Sequence, residues 1–138
     1  MSDARPARYL SDTDLKRYVP VHVVWEITLA CDLKCLHCGS RAGHRRPGEL
    51  NTQEVFKVMD DLKAARVPVL ILSGGEPLLR PDIYDIGRRA KEMGFYVGLS
   101  SNGTLINDGN IDAIDDTGFD YVGVSLDGIG ATHDKYRR

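Results

Sequence analysis

At 138 residues, with 42% hydrophobic and 28% charged side chains, the chain suits one packed domain and is too apolar for disorder. Its net charge of −2 gives no electrostatic case for binding nucleic acid or an anionic membrane surface. No apolar run approaches the roughly 18 residues of a membrane helix, and the stretch from Met1 to Pro6 has no apolar export core, so a cytoplasmic location is expected.

Residues 1–20 are polar, carry Pro6 and Pro20, and read as a lead-in segment with a short helix around Asp12–Tyr18. The apolar run Val21–Thr28 reads as the first strand. It runs into Cys31-Asp-Leu-Lys-Cys35-Leu-His-Cys38, which holds all three cysteines of the chain. Clustered cysteines without an export signal argue for a reducing compartment and a metal site, not disulfides. The thiols sit on a loop leaving the carboxyl end of a strand, where parallel α/β barrels keep their chemistry.

The loop continues through a Gly- and Arg-rich stretch, Gly39 to Gly48, whose Arg41, His44, Arg45 and Arg46 read as a solvated basic face. Asn51 and Glu54 form a capping-box pair ahead of a helix with Val55, Val58, Met59 and Leu62 on one stripe. The continuous apolar run Val67–Ser73 reads as a strand covered on both faces, ending in Gly74-Gly-Glu-Pro77. Pro81 and Asp82 open a second helix bearing Ile83, Ile86, Ala90 and Met93, stopped by Gly94. A third strand, Phe95–Ser100, runs into the turn Asn102-Gly103. A helix over Asn107–Thr117 ends at Gly118, strand four follows over Tyr121–Leu126, and the last ten residues start another helix.

A repeat is visible: Gly94-Phe-Tyr-Val-Gly-Leu-Ser resembles Gly118-Phe-Asp-Tyr-Val-Gly-Val-Ser. Strand starts at 67, 95 and 120 have the period of a βα unit in a parallel sheet. Four such strands cannot close a barrel, so the chain is expected to be an N-terminal fragment or a truncated product.

Three thiolates do not complete the four-ligand set of structural zinc or of a cubane iron–sulfur cluster. A cubane so held keeps one iron open for substrate. Zinc stays open as the alternative, with His37 or His44 as fourth ligand and a non-catalytic metal-binding module as the outcome. Two glycines in Gly74-Gly75-Glu76-Pro77 let the backbone approach a ligand, and Glu76 offers an acceptor for an ammonium group. For Asn102-Gly103 and Asp127-Gly128, plain turn chemistry is a strong competing explanation.

Cys31, Cys35 and Cys38 at CxxxCxxC spacing, followed after the next strand by Gly74-Gly75-Glu76-Pro77, resemble the signature of the radical S-adenosylmethionine (SAM) superfamily. The resemblance runs over residues 20–138. It implies the first four βα units of a partial parallel (βα)6 barrel, a truncated core domain over 21–138 behind the lead-in 1–20. It implies a 4Fe–4S cluster on the three cysteines, with SAM on the open iron and reductive cleavage to a deoxyadenosyl radical that abstracts a substrate hydrogen. SAM contacts are implied for Ser73, Gly74, Gly75 and Glu76 at the amino group, for His37 near the adenine, and for Asn102, Ser125 and Asp127 at the ends of strands three and four. The second half, including Val67–Ile83 and Gly94–Ile106, resembles the haem d1 biosynthesis radical SAM family, which acts on a modified tetrapyrrole. The run Cys38-Gly-Ser-Arg-Ala-Gly-His-Arg-Arg-Pro47 is similar instead to peptide-modifying radical SAM proteins. Either substrate implies an electron donor such as flavodoxin or ferredoxin.

Overall fold

The computed structural model describes Asp12, Lys16 and residues 20–138. Apart from those two positions, the helix expected around Asp12–Tyr18 lies outside the described residues. The elements follow as β1 (His22–Thr28), α1 (Thr52–Ala64), β2 (Val69–Gly74), a 3-10 turn (Pro77–Leu79), α2 (Ile83–Glu92), β3 (Tyr96–Ser101), α3 (Ile111–Thr117), β4 (Tyr121–Val124) and α4 (Ala131–Tyr136). All strand pairs are parallel and the order is β1-β2-β3-β4. With right-handed connections, consecutive order puts α1, α2 and α3 on one face of the sheet.

The helix signals work locally as their chemistry requires. Asn51 accepts from Glu54 N at 3.1 Å while the Glu54 carboxylate accepts from Asn51 N at 2.8 Å, closing the capping box. Gly94 (φ +77°) and Gly118 (φ +73°) take the left-handed conformation that ends α2 and α3, as the repeated Gly-Phe segments suggested. Val55 and Met59 of α1 pack with Ile83, Ile86 and Ala90 of α2 against Leu70, Leu72, Val97 and Leu99 of the sheet. Each of the Val, Leu, Ile and Met side chains among them, fully buried, contributes about 1.5–3 kcal/mol. Gly87 lets α2 approach α3, since a Cβ there would lie 2.5 Å from Thr117 Cγ2.

Two expectations need correcting, and one gains detail. The second strand is covered unevenly: Leu70 and Leu72 are fully buried on the helix side, while on the other side Val69 is buried and Ile71 only half-buried, no helix lying there among the described residues. The second helix opens after Asp82 as expected, though the Asp82 side chain makes no cap hydrogen bond. Its carboxylate is taken by Arg80 at 2.8 Å and by the Thr52 hydroxyl at 2.7 Å. The third helix begins at Ile111, because Asn107 and Asn110 spend their side chains on a turn: Asn107 Oδ1 accepts from Gly109 N, and Asn110 Oδ1 accepts from Asn107 N.

Candidate functional site

The cysteine loop leaves the carboxyl end of β1 and folds back on its own stem. Gly43 N donates to Leu29 O at 2.8 Å and Cys31 N donates to Gly43 O at 3.1 Å. Inside the loop, Cys38 N donates to Cys35 O at 3.2 Å and Ala42 N donates to Cys38 Sγ at 3.3 Å. The tight winding puts Arg41 at φ +50°, uncommon for a residue with a side chain. Burial pushes the Cys31 thiol above its ordinary range, against the hydrogen bond from the Leu33 amide.

Glu49, which sequence reasoning missed, fastens both ends of this loop. Its carboxylate accepts from Leu29 N at 2.7 Å, Thr28 Oγ1 at 3.0 Å, Arg46 N at 3.1 Å and Arg45 Nε at 3.1 Å. Burial alone would raise its pKa. The donors outweigh it, first Leu29 N and then the Arg45 side chain, and bring the carboxyl down to about 2. Two of the arginines read as a solvated face are therefore engaged. Arg45 holds Glu49, and Arg46 also reaches Glu26 O at 3.2 Å.

The glycines of the Gly74-Gly75-Glu76 segment let the end of β2 lie against the root of the cysteine loop. Gly75 N donates to Thr28 O at 2.8 Å and Glu76 N donates to Ala30 O at 2.7 Å. A Cβ on Gly74 (φ +139°) would sit 2.2 Å from Thr28 O, and one on Gly75 2.3 Å from Ala30 O. The close approach these glycines serve is strand to loop. The Glu76 side chain is fully buried and lies beneath the pocket rather than in its wall. It accepts from Asn102 N at 2.7 Å, Leu78 N at 3.0 Å and Ser101 Oγ at 3.0 Å. Burial raises its pKa despite these donors. Its carboxylate, expected to face an ammonium group, ties the ends of β2 and β3 together.

A pocket of about 220 Å³ opens over the carboxyl ends of the strands. It brings together Cys31, Cys35, Cys38, His37, Ser73, Gly74, Gly75, Asn102 and Ser125, with Ser101 beside Asn102, and adds Ser100 and Arg137, which the sequence did not single out. His37 stands at its rim, edge-on to Tyr136 with ring centroids 5.9 Å apart and Nε2 3.3 Å from Asp127 Oδ2. Asp127 is outside the lining. Its carboxylate accepts from Arg137 Nε at 2.6 Å and its amide donates to His133 Nδ1 at 3.3 Å. The carboxyl-terminal residues lie along the cysteine loop, where Leu36 N donates to Tyr136 O at 2.9 Å.

The three thiols that line one pocket fit the three protein ligands of a cubane that keeps one iron open. Among the described residues, no three His, Cys, Asp or Glu side chains converge as a single metal ion requires. Zinc draws its ligands onto one centre, whereas a cubane takes one thiolate per iron and spaces them by its own width. His44 is exposed and outside the pocket lining, and His37 turns to Asp127.

Residues 25–138 match the radical SAM superfamily. The chain belongs to that superfamily. Membership brings the family's cofactors, a 4Fe–4S cluster and SAM. Among its relatives, the pre-heme d1 synthase of Dinoroseobacter shibae is 45% identical over 116 residues, 83% of this chain and 29% of that protein. The Fe-coproporphyrin III synthase of Methanosarcina barkeri is 43% identical over the same share of each. The chain thus spans under a third of the length of these radical SAM relatives. The fold matches Streptococcus suis SuiB bound to S-adenosylmethionine with a TM-score of 0.72 at 20% identity, over 91% of this chain and 30% of that one. SuiB has also been solved bound to its precursor peptide SuiA. Among the described residues, no helix is long and apolar enough to cross a membrane.

Proposed function

We propose that the chain is the cluster- and SAM-binding part of a radical SAM enzyme that acts on a modified tetrapyrrole in haem d1-type cofactor biosynthesis. The observation that carries the first half is the gathering of three thiols, the Gly74-Gly75 backbone and Ser73, Ser100 and Ser125 around one pocket. The tetrapyrrole half rests on likeness to the two haem-pathway relatives. Bound together, the cluster and SAM supply one-electron cleavage of SAM to a hydrogen-abstracting radical.

The chain's own residues position and shield that chemistry. Cys31, Cys35 and Cys38 would hold the cluster as its thiolate ligands. The backbone carbonyls of Gly74 and Gly75 and the serine hydroxyls, all lining the pocket, offer hydrogen-bond partners to the amino acid and ribose portions of SAM. His37 and Tyr136 offer flat surfaces beside the adenine. Asp127 acts through Arg137, holding a guanidinium in the pocket wall. The electron arrives from a small reductant such as flavodoxin or ferredoxin.

A second reading, a peptide-modifying maturase, is favoured by the run from Cys38 to Pro47 that follows the cysteines. Anaerobic reconstitution followed by electron paramagnetic resonance (EPR) of the dithionite-reduced protein tests the shared core of both. A 4Fe–4S signal that changes shape on adding SAM is the expected result. A colourless protein carrying zinc refutes it. Turnover of a tetrapyrrole against a precursor peptide by the longer protein then separates the two substrates.

A further inference from the structure

The amide of Asn102 is held in one orientation beside the first cysteine. Its Oδ1 accepts from Thr104 N at 2.9 Å, which identifies the oxygen and leaves Nδ2 as the donor, and lies 2.7 Å from Thr104 Oγ1. Nδ2 donates to Asp32 Oδ1 at 2.8 Å and lies 3.9 Å from Cys31 Sγ, so each of its two hydrogens has an acceptor. The same Thr104 hydroxyl also lies within hydrogen-bond distance of Asp32 Oδ2, so its one proton serves either acceptor while Thr104 N alone fixes the Asn102 oxygen. Below, Asn102 N is pinned to the fully buried Glu76 carboxylate, and Gly103 N donates to Ser101 Oγ at 2.9 Å. The end of β3 therefore reaches across the pocket and grips the residue next to Cys31.

We propose that Asn102 is a positioning residue for the Cys31 thiolate, donating an amide N–H to its sulfur and so raising the reduction potential of the cluster. A donor to a cluster-bound thiolate withdraws negative charge and favours the reduced, more negative state. Glu76 acts one step further out by fixing the Asn102 backbone. The inference rests on the reading that the three cysteines hold a cluster. If that reading fails, the unsubstituted chain takes up no iron–sulfur chromophore and the failure is visible before any variant is made.

The test is an EPR-monitored redox titration of the cluster-loaded chain, with iron content measured alongside. Asn102→Ala removes the donor, and a more negative midpoint at full iron content is expected. The exchange Asn102→Asp with Asp32→Asn restores an amide–carboxylate pair between the two positions but turns an oxygen toward Cys31. It should keep the cluster in place and still move the midpoint down. A wild-type midpoint in either variant overturns the proposal. So does loss of iron from both with the fold retained by circular dichroism, since that assigns Asn102 to loop support alone.

Discussion

At the residue scale the site depends on a few positions with no tolerance for change. Gly74 and Gly75 are required by the backbone at the end of β1 and the start of the cysteine loop, because an added Cβ would fall well inside van der Waals contact distance of Thr28 O or Ala30 O. Gly74→Ala should therefore separate β2 from the cysteine loop, and the expected outcome is loss of cluster uptake together with a lower melting temperature. Cys35→Ala should leave the melting temperature of the cluster-free protein nearly unchanged, since the thiol is not in the buried core. It should abolish the 4Fe–4S absorbance and the SAM-dependent EPR change. Glu76 shows why a motif does not reveal a role. Its position after two glycines was legible, but the direction of its carboxylate depends on Ser101 and Asn102, which lie 25 and 26 residues away.

Between elements, the buried guanidinium of Arg80 is the main polar fastening. It pairs with Asp82 through Nε and Nη2 and donates to Ile27 O at 2.9 Å and Leu50 O at 3.1 Å. One side chain thus joins the end of β1, the segment before α1 and the start of α2. Its hydrogen bonds, first among the causes, hold the Asp82 carboxyl below the usual range. Asp82→Ala leaves that charge buried without its partner and should cost about 3–5 kcal/mol in denaturant unfolding. Thr52→Val removes one neutral donor to the same carboxylate and should cost about 1 kcal/mol. No periodicity announces such a clasp, since its partners are spread over residues 27–82.

For the whole molecule, charge and edges set the behaviour. The Glu49 carboxyl is brought from an ordinary value of 4.5 down to about 2 in the fold. The unfolded chain then binds the proton more readily, so the stabilisation is present above about pH 4.5 and is lost as the pH falls toward 2. Melting temperature should fall across that window, and Glu49→Gln should flatten part of the fall while lowering stability at pH 7. Asp82 and Asp120, also held low, keep the remainder. At the other extreme of the sheet, β4 has no neighbour beyond it among the described residues, and Val122, Val124, Leu126 and Ile129 are exposed. An edge of this kind pairs readily with other chains. Concentration-dependent association in sedimentation should weaken in Val122→Lys.

The sequence by itself determined the alternation of four strands and helices, because the capping box of α1, the apolar stripes of α1 and α2 and the terminal glycines of α2 and α3 are all local signals. It also determined the cysteine cluster and its place after the first strand. Both are encoded within a few residues of one another. Only the tertiary structure decided that Glu49 fastens the cysteine loop, that Glu76 is buried beneath the pocket, that Asn102 stands beside Cys31 and that Arg137 closes the wall. Those relations join residues 20 to more than 100 positions apart. Such contacts are made by packing parallel strands side by side, and local propensity carries no record of them.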